Sequence, residues 1–76
     1  MKRVETIYDQ TKVRRVIVFA RDDGSFGFQE ERFSDDPMEN AWLPFGRYSI
    51  TRCDTAARAL AEARARISWL GHAQPA

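Results

Sequence analysis

The segment Val13 to Arg21 contains Val16-Ile17-Val18-Phe19, and this short apolar run constrains the fold more than any other feature. Three consecutive β-branched residues are stiff at χ1 and crowd a helical turn, so the run reads as a strand. It stops at Asp22-Asp23-Gly24-Ser25, where Gly24 supplies the positive φ that a tight hairpin turn or its bulge demands. Phe26 to Phe33 then reads as the partner strand. In it Phe26 and Phe28 share one face and Gln29 and Glu31 the other, the period-2 pattern of a sheet with one apolar side.

Around this hairpin the remaining elements follow. Val4 to Tyr8 reads as a shorter strand, and Asp9-Gln10-Thr11-Lys12 as the polar turn leading out of it. Ser34 to Asn40 has loop composition, and Pro44 and Gly46 interrupt the apolar patch Trp42-Leu43-Pro44-Phe45. Tyr48 and Ile50 alternate with polar neighbours, which predicts a short fourth strand over Arg47 to Thr51. Asp54 is the expected helix cap, with Thr55-Ala56-Ala57 opening the first turn. Ala56, Leu60, Ala63, Ile67 and Leu70 fall on one helical stripe, Trp69 falls opposite Leu60, and Gly71 is the natural stop. The expectation is an α+β fold: a three- to four-stranded antiparallel sheet in the order β-β-β-(β)-α, packed against one C-terminal amphipathic helix. A chain of 76 residues suffices for one domain, expected over 1–71, with 72–76 as a disordered tail.

Charge is segregated. Residues 1–21 carry a net +4, residues 22–40 a net −6 and the remainder +3, a pattern that antiparallel pairing can neutralise by setting opposite charges across strands. The N-terminus becomes charged before an apolar signal region develops, and no apolar run approaches the length of a membrane span. A cytoplasmic protein without membrane contact is expected, and the lone Cys53 fits a reducing compartment.

Catalytic hardware is scarce, so no enzyme is expected, and no catalytic, cofactor or metal residue is assigned. The single histidine, His72, falls in the predicted tail, away from any rigid scaffold. Cys53 precedes the expected cap, where a thiolate would be favoured, but the commoner role of such a residue is a small apolar side chain at the start of a helix. The acidic segment fails as a calcium loop: with Gly24 at the sixth place, Phe19 and Arg21 would stand at the first and third. Two binding readings remain. Trp42, Phe45 and Trp69 are candidate anchors for a protein partner or for self-association at a sheet edge, unless Trp42 plugs the core and Trp69 folds back on it. The alternative is a nucleic-acid contact through Lys12, Arg14, Arg15 and Arg47 on the sheet face, although a net charge of +1 is low for releasing counterions.

Three resemblances bear on these readings. Phe26-Gly27-Phe28 resembles the Phe-Gly-Phe core of the strand motif in RNA-recognition and cold-shock domains, whose rings stack on bases. Here Glu30-Glu31 would repel phosphate, and the expected place of both rings is the core. Strands followed by one helix resemble the three-stranded DNA-binding domains of phage integrases and plant AP2-type factors, a likeness of order alone. Finally, the Asp-Gly hairpin, Trp42-x-Pro44, Gly46-x-Tyr48-Ser49, Asp54-Thr55-Ala56 and Trp69-Leu70 are similar to short uncharacterised proteins of alphaproteobacteria. That likeness implies the same fold and a bacterial cytoplasmic setting, and it carries over no site residue.

Overall fold

A computed structural model describes residues 1–38 and 40–72. The β-branched run becomes β2 (Arg14–Ala20), between β1 (Lys2–Tyr8) and β3 (Phe26–Ser34), and β4 (Ala41–Pro44) follows at the far edge. All neighbours are antiparallel, in the spatial order β1-β2-β3-β4. After a 3₁₀ turn at Tyr48–Ile50 comes α1 (Ala56–Arg66), and a second 3₁₀ turn spans Ser68–His72. This is the expected α+β architecture.

The turn between β2 and β3 sets the register. Arg21 N–H donates to the Ser25 carbonyl at 2.8 Å, and Gly24 takes φ 87°. From there Ala20 faces Phe26, Val18 faces Phe28, Val16 faces Glu30 and Arg14 faces Arg32. Those residues point toward α1, where Ile7, Val16, Val18 and Phe28 meet Ala59, Ala63, Ile67 and Leu70 in one core. The larger of these side chains contribute roughly 1.5 to 3 kcal/mol each on burial. Ala56 and Leu60 are half-buried against the same core, so the predicted stripe is right in direction and centred one position further round, on Ala59. Phe26 and Phe28 are therefore on the helix side.

Four sequence expectations are corrected. Trp42-Leu43-Pro44 is not irregular but lies in β4. Phe45 N–H donates to the Glu30 carbonyl at 2.8 Å, so antiparallel alternation turns the backbone of Leu43 toward β3 and that of Pro44 outward. Proline is tolerated there because the N–H it lacks would have faced away from the sheet. Arg47 to Thr51 is no strand: Tyr48 stacks on Phe28 with centroids 5.5 Å apart, and the Thr51 carbonyl accepts from Arg21 Nη2 at 3.0 Å. Only Cys53 returns to the sheet, bridging Phe26 through two backbone hydrogen bonds of 2.7 and 2.8 Å. The helix cap is Thr55, whose hydroxyl accepts from Arg58 N–H at 3.1 Å, while Asp54 instead forms an exposed ion pair with Arg58.

The fourth correction concerns the helix end. α1 stops at Arg66, with Ile67 extended at φ −106°, and the 3₁₀ turn carries Leu70 into the core. Trp69 therefore does not stand opposite Leu60; it is half-buried against the core. The predicted tail mostly lies outside the described residues, apart from His72 in that turn. Removal of the observed cap separates it from the expected one. Thr55→Ala should lower unfolding stability by about 1 kcal/mol in urea denaturation, whereas Asp54→Ala should change it by less than about 0.5 kcal/mol.

Candidate functional site

No helix of the described residues lies over the second face of the sheet, yet Ile17 and Phe19 on it are only 5% and 4% exposed. Long polar side chains cover that face. The Arg21 guanidinium lies 4.8 Å from the Phe19 ring centre, and Gly27 opposite Phe19 leaves room for it. A Cβ at Gly27 would come within 2.8 Å of Arg21 Nη2 and of the Thr51 carbonyl. Toward the other end of the face, the Arg15 guanidinium sits 4.1 Å from the centre of the Trp42 ring, which packs edge-on with Tyr8 and Phe33 at centroid separations of 5.9 and 5.3 Å. Arg15 Nε donates to Glu31 Oε1 at 2.7 Å, and Gln29 Nε2 donates to Glu31 Oε2 at 2.8 Å. Both charged side chains are about nine-tenths buried. A small pocket of about 160 Å³ remains open between Arg3, Ile17, Phe19, Gln29 and Glu31.

The helix-facing side ends differently. Beyond the row Val16–Glu30 comes the row Arg14–Arg32–Leu43, with Phe45 beside it. Trp69 closes the core just before this row, its indole N–H donating to Glu30 Oε2 at 2.8 Å. Past that point no helix of the described residues covers the sheet. Phe45 is 45% and Leu43 40% exposed, and the Arg14 and Arg32 guanidiniums lie 5.7 and 5.9 Å from the Phe45 ring centre. Like charges directly opposite in a ladder repel. Among the described residues neither guanidinium meets a carboxylate, whereas Arg15, Arg52, Arg58 and Arg66 each do. Asp9, across from Arg14, is held in its own turn by the Thr11 hydroxyl and the Arg14 backbone amide.

The residues expected to act together are thus separated. Arg14 and Arg15 point to opposite faces of β2, and Arg15 is already held by Glu31 and Trp42. Lys12 is exposed in the β1–β2 turn at φ 60°, and Arg47 is exposed after β4. Of the candidate protein contacts, Trp42 belongs to the polar-covered face, Trp69 is half-buried and hydrogen-bonded, and Phe45 stands free. Sequence reading missed Arg32 and Leu43. The register could have found Arg32, because a hairpin closing at Arg21 and Ser25 places Arg14 opposite it.

A groove beside α1 runs past Arg52, Cys53, Arg58, Glu62 and Arg66. Cys53 is half-buried against the core, and the arginines are engaged with neighbouring carboxylates. Among the described residues, no three His, Cys, Asp or Glu side chains are gathered for a metal ion, and no helix is long and apolar enough to cross a membrane. No family model, curated protein or solved structure matches the chain.

One carboxyl group is strongly perturbed. Asp23 accepts from the Ser25 hydroxyl at 2.7 Å, the Ser25 amide at 3.0 Å and Arg52 Nη1 at 2.6 Å, and these hold it well below the usual carboxylate range. A lowered folded-state pKa stabilises the fold above the unfolded value near 3.9, and the gain disappears as pH falls through the folded value. The stability margin of the wild type over Asp23→Asn should therefore be constant between about pH 5 and 7 and shrink below about pH 4, read from urea midpoints. The Arg15–Glu31 pair gives a second expectation. Glu31→Leu alone leaves a buried guanidinium uncompensated and should cost about 3 kcal/mol, while Arg15→Met with Glu31→Leu should restore most of that loss in the same assay.

Proposed function

We propose that this chain is a non-enzymatic binding module that engages a protein partner through the β4 end of its sheet. Phe45 is the observation that carries the reading: a large aromatic ring, 45% exposed, fixed on the last turn of the sheet between two arginines and next to an exposed Leu43. Leaving such side chains in water forfeits part of the roughly 1.5 to 3 kcal/mol that burying each would yield, and a partner closing over them recovers it. Aromatic rings and arginines are also the residue types that most often dominate binding energy at interfaces. The likeness to short alphaproteobacterial proteins fits a bacterial cytoplasmic setting for this role.

Phe45→Ala tests the proposal. The variant should melt within about 1 kcal/mol of the wild type and lose a partner that immobilised wild type retains. A second copy of the chain would count as that partner if sedimentation shows a dimer that the variant dissolves. Equal retention by both proteins, or none by either together with a monomer throughout, ends the reading.

A further inference from the structure

The chemistry of the β4 end narrows the partner, granted the protein-binding role just proposed. We infer that the row Arg14–Arg32–Leu43 with Phe45 receives an acidic peptide segment that carries an aliphatic side chain next to its carboxylates. The argument rests on charge and on shape. Arg14 and Arg32 are cross-strand neighbours without a carboxylate among the described residues, so each keeps its outer donors unpaired and each repels the other. An anion placed between them relieves the repulsion and accepts charge-assisted hydrogen bonds, which are shorter and stronger than neutral ones. Their Cα atoms are about 5 Å apart, as ladder partners are. Two carboxylates on one face of an extended or helical segment fall at a comparable spacing, about 5 to 7 Å.

The same surface suits a peptide better than a nucleic acid. Both arginines approach the Phe45 ring, which leaves it poorly placed to stack a base. Its exposed neighbour Leu43 is aliphatic and offers a contact for a methyl-bearing side chain. Asp35 and Asp36 precede β4 and are exposed, so a phosphate backbone extending past the pair of arginines would meet like charge. A short segment ends before reaching them. Strand addition is also disfavoured at this edge, because Pro44 turns no N–H outward. The segment is therefore held by side chains.

Selection from a display library of random linear peptides, with wild type and the double variant Arg14→Gln/Arg32→Gln as targets, tests the inference. The variant keeps a straight polar stem, though a shorter one, and removes a repulsive pair, so it should fold about as stably as wild type. Enriched peptides should combine two or more acidic residues with an aliphatic one. Synthetic copies should bind wild type and lose about tenfold in affinity to the variant, and copies with Asn and Gln in place of Asp and Glu should lose as much. Enrichment of uncharged peptides that still require Phe45 overturns the acidic assignment and leaves the protein-binding reading standing. No enrichment over an unrelated control domain overturns the acidic-peptide assignment, while the retention and sedimentation of Phe45→Ala decide the protein-binding reading separately. Salt-sensitive binding of a random single-stranded oligonucleotide pool, lost in the double variant, makes the occupant a nucleic acid and overturns the assignment.

Discussion

The β2–β3 register is the constraint on which the rest of this structure depends, and three residues set it. Asp23 folds back onto Ser25, Arg21 closes the turn onto the Ser25 carbonyl, and the hairpin then has no freedom to slip. A slip of one residue would put Val16 and Val18 on the face opposite Phe28, so that keeping Phe28 under the helix would bring Arg15, Ile17 and Phe19 there in their place. The chosen register does more than bury the right residues. It places Arg15 opposite Glu31, where the charges match, and Arg14 opposite Arg32, where they do not. One neighbouring pair of positions in β2 thus yields a structural ion pair on one face and an unmatched basic pair on the other.

The two faces solve the problem of a four-stranded sheet with a single helix in different ways. On one side α1 buries a conventional apolar core, and its alanines at positions 59 and 63 let the helix lie close to Val16, Val18 and Phe28. On the other side the described residues add no second layer of secondary structure, and arginine stems, a buried ion pair and ring edges exclude water instead. That cover has a directional consequence. Arg15 lies over Trp42 while its Nε is held by Glu31, so the polar cover and the packing of β4 share one side chain. A buried pair of this kind adds little net stability against an apolar replacement, but breaking one half of it leaves a charge without a partner.

Much of this fold was legible in the sequence because the strongest signals were local. The β-branched run, the Asp-Gly turn and the helical stripe each specify an element within a few residues, and the hairpin and the helix direction follow from them. β4 was not legible for a physical reason: proline and glycine mark breaks in most contexts, and only its edge position makes Pro44 acceptable. The helix start was misread by one residue because Asp54 and Thr55 are both good caps, and the choice between them depends on how the chain leaves the Cys53 bridge. Trp69 departs from the place that helix periodicity gives it because the helix ends at Arg66 and the backbone turns extended at Ile67. Of the candidate contacts, Phe45 was identified without its setting; Arg32, its second cationic neighbour, becomes visible only when the hairpin is counted residue against residue.

The exposure of Phe45 follows from the same geometry. Trp69 ends the core by binding Glu30, and among the described residues the next row of the sheet has no helix above it because α1 has already terminated at Arg66. Phe45 N–H is fixed to the Glu30 carbonyl, so the same residue that anchors Trp69 by its side chain anchors the strand end by its backbone. The ring is consequently displayed from a rigid position, which lowers the ordering cost that a partner would otherwise meet. With Pro44 blunting the backbone edge beside it, the surface is built for contact through side chains, and its two guanidiniums, which meet no carboxylate among the described residues, give that contact a sign.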